Sequence, residues 1–272
     1  MKNKRILITG AAGSIGSELL RQLCERNKIY GVDINESGLA DLMREYDVAV
    51  RIGDIRNENT VRDIFSDFKP QIVFHAAAYK HVDMVENVPK EAIDTNILGT
   101  YNLLHYSKVY PVEKFIFIST DKAINPYSIM GATKRVGEIM TKNQGKGFIA
   151  VRFANVLGSR GSVIPIWQRQ INQGKPITLT HPDMERYFMT IEQAVQLVIK
   201  AGELGEGGEI FVLDMGRPVK LLELANKIIQ ELGSEVPIKV IGIRPGEQLK
   251  EKIMLEEEQQ RAVRKDNFWI IK

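Results

Sequence analysis

Thr9-Gly10-Ala11-Ala12-Gly13-Ser14-Ile15-Gly16 decides the fold. It follows the apolar run Ile6-Leu7-Ile8 and precedes Ser17–Leu23, where apolar residues recur at helical spacing. A strand that turns through closely spaced glycines into a helix gathers backbone N–H groups and the positive end of the helix dipole. A pyrophosphate can bind at such a point. The spacing is G-x-x-G-x-x-G, not G-x-G-x-x-G. On the residues alone, an ordinary strand–helix turn therefore stays open beside a dinucleotide site. Asp33 ends the next apolar run, Ile29-Tyr30-Gly31-Val32. A carboxylate there can bind both adenosine ribose hydroxyls and repels a 2′-phosphate, which favours NAD over NADP; helix capping is its alternative use.

Outward from this motif, the apolar runs Val48–Ile52, Gln71–His75, Phe115–Ser119 and Ile149–Phe153 alternate with helical patterns such as Val61–Phe65 and Ala92–Leu104. Ile177–Thr180 and Ile210–Leu213 extend the series less regularly. Unbroken apolar strands separated by helices predict an α/β fold, a doubly wound parallel sheet of Rossmann type with helices on both faces. Asp54-Ile55 after the third strand and Ala76-Ala77-Ala78 after the fourth stand where a flat ligand approaches strand ends. Beyond about Asn155, loops richer in Pro, Gly and Arg set in. Residues 1–155 are read as the cofactor domain and 156–272 as mostly a small, interleaved substrate-binding lobe, with segments near 185–215 returning to the sheet.

Of the 272 residues, 44% are hydrophobic and 26% charged, values of a globular chain. The formal charge of +3 argues against a nucleic-acid partner, while leaving room for a local anion pocket. One cysteine, Cys24, excludes an internal disulfide and a thiolate zinc site, and no metal is expected. Cys24 is read as core packing in the first helix. No apolar run approaches the roughly 20 residues that span a bilayer. The first strand begins too early for a signal peptide or membrane anchor, so the expectation is a cytoplasmic protein.

Thr9–Gly16, Asp54-Ile55, His75–Ala78 and Asn96 together resemble the extended short-chain dehydrogenase/reductase superfamily. Ser119–Pro126, Met130–Arg135, Val151–Pro165 and Thr180–Met189 closely resemble the nucleotide-sugar 4,6-dehydratases of polysaccharide biosynthesis. The likeness runs from about residue 5 to about 255 and matches the soluble catalytic portion of proteins that often carry a membrane-spanning region. It implies conversion of UDP-N-acetylglucosamine to a 4-keto-6-deoxy sugar. C4 is oxidised, water is eliminated across C5 and C6, and hydride returns to C6. It also implies NAD bound by Gly10, Gly13, Ser14, Ile15, Gly16, Asp33, Asp54, Ile55, Ala76, Ala77, Ala78 and Asn96, with Lys134 on the nicotinamide ribose.

By the same resemblance, Asp121 is the acid that protonates the leaving hydroxyl, Lys122 is the C5 base and Thr120 contacts the 4-oxygen. A lysine acts as a base only when burial or a nearby cation lowers its pKa, and Lys134 is the cation near in sequence. The superfamily's active-site Tyr is replaced by Met130, whose thioether has no titratable proton. Its role then passes to Asp121, Lys122 or a water; Tyr127 is a weaker candidate. A branch of the family with Met here is active and is associated with retention at C5. Tyr79, Lys80, His81, Asn155, Arg160, Arg186, Arg244 and Glu247 are the expected substrate contacts, the arginines on the diphosphate. A nucleotide-sugar 4-epimerase and a non-catalytic NAD-sensing protein are the alternatives. Ala92–Tyr106 and Thr133–Lys142 are expected to pair in a homodimer or higher homo-oligomer. Phe268–Ile271 should dock on its own body or a partner, Glu256–Glu258 should form a solvated helix face, and His75 should be packing.

Overall fold

Six parallel strands carry the first half of the chain: β1 (Arg5–Thr9), β2 (Lys28–Asp33), β3 (Ala49–Ile52), β4 (Ile72–His75), β5 (Lys114–Thr120) and β6 (Phe148–Phe153). In the computed structural model, which describes residues 1–272, they stand in the order β3-β2-β1-β4-β5-β6. Ile210–Leu213 extends the sheet in parallel beyond β6. Phe268–Ile271 then pairs with it antiparallel, and Ala262–Lys265 closes the edge. The sheet is thus nine-stranded and mostly parallel, as the alternation of strands and helices predicts.

Both faces are dry because the strand residues alternate between two cores. Ile6 and Ile8 point to one side, with Leu19 and Leu20 of helix α1 (Ser14–Leu23) and Val195 and Val198 of helix Ile191–Leu204. Leu7 points to the other, with Phe65 and Leu103. Burying each such side chain fully contributes about 1.5–3 kcal/mol, so a register slip that exposed one set is heavily disfavoured. Along that second face run α3 (Glu58–Phe68), α4 (Val82–Asn87), α5 (Pro89–Ile93), α6 (Thr100–Val109) and α7 (Ile129–Lys142), while α2 (Glu36–Glu45) packs on the first through Leu39 and Leu42. A third core of Trp167, Ile177, Leu179, Met184, Leu221 and Ile228 makes a separate lobe. No helix is long and apolar enough to cross a membrane.

Several expectations need correction. The continuous helix over Ala92–Leu104 is α5, a π-helical turn Asp94–Gly99 and then α6. At Gly99 an added Cβ would fall 2.6 Å from Ile55, so the widened turn stands against the β3 loop. Within the stretch read as returning near 185–215, helix Ile191–Leu204 and strand Ile210–Leu213 join the sheet, but the terminal hairpin Ala262–Ile271, read as part of the lobe, joins it too. Phe268–Ile271 therefore docks on its own body, as a strand. Cys24 lies in a 3₁₀ turn after α1 and is only half-buried. Glu256 and Glu257 are exposed, but Glu258 is buried and accepts from Arg152 Nη1 at 2.9 Å. The face read as solvated thus contributes a buried ion pair.

Candidate active site

Strand order reverses between β1 and β4, and open α/β sheets bind ligands outside the strand ends at that point. Gly10 has φ +70°, and a Cβ there would fall 2.6 Å from the Ala77 nitrogen. A Cβ on Gly16 would fall 2.0 Å from the Gly10 carbonyl oxygen. Both glycines are needed for α1 to press against the β1 and β4 loops. No side chain caps α1, and Gly13, Ser14, Ile15 and Gly16 line the cleft. Its free N–H groups are available to a phosphate.

A cavity of about 240 Å³ lies beside Asp33, Ile34, Asp54 and Ile55. Asp33 accepts from the Ala12 and Asn35 backbone N–H groups, each at 2.9 Å, while Asn35 caps α2. Asp33 is therefore free of capping duty, with lone pairs left for ribose hydroxyls. Asp54 is engaged by Arg56, which holds its carboxyl below the usual range. An adjoining cavity of about 580 Å³ shares Gly10, Gly13, Ala76, Ala78 and Tyr79 with the first. The tight glycine turn, the acidic ribose position and the apolar Ile34 and Ile55 fit NAD. Asn96, expected at the cofactor, lines neither cavity. It accepts from the Tyr79 N–H (2.9 Å) and donates to the Tyr79 carbonyl (3.0 Å) and to Thr133 (2.9 Å), so it ties down the loop instead.

Thr120, Asp121 and Lys122 leave the end of β5 in one tight turn. Asp121 Oδ1 accepts from Thr120 Oγ1 at 2.8 Å and from Lys122 Nζ at 3.0 Å. Asp121 Oδ2 is buried with no partner. A Cβ on Gly131 would fall 2.1 Å from the Lys122 carbonyl oxygen, so α7 starts hard against this turn and brings Met130 and Lys134 into the same large cavity. Tyr127 is 71% exposed and lines neither cavity.

The charge state of Lys122 is opposite to the expectation. Burial favours the neutral amine, but Asp121 and Glu251 outweigh it, and the pKa is raised. Lys134 is not among the neighbours that set it; Asp121, at 3.0 Å, acts most strongly and Glu251, at 3.6 Å, adds to it. Lys134 itself sits 4.3 Å from the centroid of Phe117, and burial brings its pKa down to about 8. Gly137 permits this contact, since a Cβ there would fall 2.3 Å from the Phe117 ring.

Tyr79, Lys80, His81, Asn155, Arg186, Arg244 and Glu247 all line the large cavity. Asn155 donates to the Tyr187 carbonyl at 3.2 Å, and Arg244 N–H donates to Glu247 Oε2 at 3.2 Å. Burial lowers the pKa of Lys80 and, with help from Lys80, that of His81. Arg160 departs from this group. It lines only the smaller cavity, its N–H donates to Ser14 Oγ at 3.1 Å and its carbonyl accepts from Lys80 at 2.9 Å. It stands at the cofactor end, because the loop after residue 157 folds back over α1. His75 is fully occupied in packing. Thr100 Oγ1 donates to the Asn96 carbonyl, so it accepts from His75 Nε2–H, while Nδ1 accepts from Thr9. Burial keeps this imidazole neutral.

Sequence reasoning missed Glu251, which lines the large cavity between Lys122 and Arg186. It stands in Lys250-Glu251-Lys252, which reads as a solvated charge run. Long-range backbone contacts, the β-bridge of Lys250 with Glu185 and the hydrogen bond from the Glu185 N–H to the Leu249 carbonyl at 2.9 Å, bring it to the site.

A family model described as polysaccharide biosynthesis protein matches residues 6–272. The capsular polysaccharide biosynthesis protein CapD of Staphylococcus aureus is 47% identical over 272 residues, covering 93% of this chain and 45% of that protein. The chain thus spans about half the length of this relative. A UDP-glucose 4-epimerase of Rickettsia bellii is 35% identical, covering 99% of this chain and 83% of that protein. Among solved structures, Pen from Bacillus thuringiensis has a TM-score of 0.93 at 34% identity, over 99% of this chain and 88% of that one. The Thermus thermophilus UDP-glucose 4-epimerase complex with NAD has a TM-score of 0.83 at 25% identity, over 92% and 90%.

Proposed function

Because the chain belongs to the polysaccharide biosynthesis protein family, we propose that it is an NAD-dependent nucleotide-sugar 4,6-dehydratase acting on a sugar of the UDP-N-acetylglucosamine type. The observation that carries this reading is the Asp121–Lys122 pair at the mouth of β5. Lys122 lines the cleft that fits a dinucleotide, and Asp121, 1% exposed and outside that lining, contacts Lys122 and keeps its buried Oδ2 without a partner. When bound, NAD supplies reversible oxidation at C4 of the sugar, which acidifies the C5 proton.

The resting pair is ammonium and carboxylate. Transfer of one proton across the 3.0 Å contact from Lys122 Nζ to Asp121 Oδ1 turns it into amine and carboxylic acid. The amine then takes the C5 proton and the acid gives its proton to the C6 hydroxyl, which leaves as water. Both groups return to their resting charges. Thr120 is placed to hydrogen-bond the 4-oxygen, and Met130 fills apolar volume where no proton is offered. Arg186 and Arg244 bind the diphosphate, with Glu247 on the nucleoside ribose. In the same reading the protein is a homodimer through α6 and α7, on which Tyr101 and Ile139 are exposed, and sedimentation checks that.

A 4-epimerase is the second reading, favoured by the name of the Rickettsia relative. It works at C4 alone and leaves Asp121–Lys122 without a task. Incubation with UDP-N-acetylglucosamine in deuterated water, read by NMR and mass spectrometry, separates the two. Loss of water with deuterium at C5 is expected, and Asp121→Asn should abolish it by at least about 100-fold while substrate still binds. Conversion to the 4-epimer without deuterium would establish the epimerase instead.

A further inference from the structure

We propose that Glu251 is a positioning residue of this site, bridging Lys122 and Arg186 so that the sugar-side pair and the diphosphate-side arginine form one charge chain. Its carboxylate side chain is 5% exposed and lies 3.6 Å from Lys122 Nζ and 3.7 Å from Arg186 Nη2. Both distances exceed a good hydrogen bond, so the coupling is mainly charge on charge. A buried carboxylate is costly unless opposite charges compensate it, and here two cations do.

The arrangement alternates: Asp121 negative, Lys122 positive, Glu251 negative, Arg186 positive. Arg186 is itself anchored, since Nη1 donates to the carbonyls of Glu185 (2.7 Å) and Leu249 (3.1 Å). The neighbouring charges face elsewhere. Lys250 pairs with Glu185 at 3.1 Å on the outer side, and Lys252 reaches Glu256. Arg244 and Glu247 line the same cavity and pair with Asp83 and with the Arg244 backbone. With Glu251 neutralised, Lys122 would face one carboxylate and one guanidinium. Its amine would then lose its proton at lower pH.

The catalytic consequence rests on the dehydratase reading, so the primary test needs no substrate. Competitive acetylation of the intact protein with acetic anhydride across pH, read by peptide mass spectrometry, reports the protonation of each lysine. In E251Q, labelling of Lys122 at pH 8 should rise about tenfold, because the amine sheds its proton about one pH unit lower, while Lys250→Gln leaves it unchanged. Unchanged Lys122 labelling in a folded E251Q protein overturns the proposal. If E251Q does not fold, E251D carries the test: its shorter side chain retracts the carboxylate, and a smaller rise is expected where no change refutes. For an active enzyme, the alkaline-going limb of kcat should move down by about one pH unit in E251Q, which loss of packing alone would not do. If the wild-type protein dehydrates no UDP-sugar, the dehydratase reading falls while the labelling result still decides the role of Glu251.

Discussion

Lys134 shows how burying a single charged residue can cost stability. Its ammonium lies on the Phe117 ring, and Glu138, the carboxylate that acts on it, is already taken by Ser119, Arg135 and Arg152. Burial lowers its pKa from 10.5 to about 8. Between those values the unfolded chain binds a proton that the folded chain does not, so stability rises with pH across that window. At pH 7 the folded protein carries the full penalty. Lys134→Met should therefore stabilise the cofactor-free protein at pH 7 by about 2 kcal/mol, and the advantage should shrink above pH 8. Thermal melts at pH 7 and 9.5 check both parts, and titration calorimetry should show weakened NAD binding. A variant less stable than wild type at pH 7 would mean that contacts other than Glu138 compensate the buried ammonium. The presence of Lys134 was legible in sequence; its microenvironment was not, because Phe117 and Gly137 reach it from two different elements.

At the scale of elements, the first turn of α7 positions the Thr120–Lys122 turn. Gly131 faces the Lys122 carbonyl with no room for a methyl group. Gly131→Ala should push α7 away from the Thr120–Lys122 turn, cost about 2–4 kcal/mol and reduce turnover more than it reduces NAD affinity. Denaturant melts and initial rates measure these, and equal losses in both functions would point to global damage. Strand and helix periodicity made β1 to β6 and the glycine turn readable, since each is a local pattern with a buried face. The π-helical turn at Asp94–Gly99 and the terminal strands were not readable. The first depends on contact with Ile55, and the second on pairing with Ile210–Leu213 across a long stretch of chain.

For the whole molecule, the decisive feature is that sheet and lobe have separate cores, with the large cavity between their walls. Trp167 is fully buried in the lobe core, donates to the Thr178 carbonyl at 2.8 Å and also lines the cavity. Trp167→Ala should cost about 3–5 kcal/mol and loosen the lobe while leaving the sheet intact. UDP should then bind more weakly and NAD almost as before, measured by parallel titrations. Equal weakening of both would show that the two cores act as one unit.

What the sequence by itself determined is the layered architecture, the dinucleotide turn and the residues at the end of β5, because these rest on short-range periodicity, backbone freedom at glycine and adjacency in the chain. Tertiary structure alone decided which charges meet. It placed Glu251 beside Lys122, buried Glu258 on Arg152, moved Arg160 to the cofactor end and reversed the expected charge state of Lys122. Coulomb interactions depend on distance and burial, and both are set by contacts between segments that lie far apart in the chain.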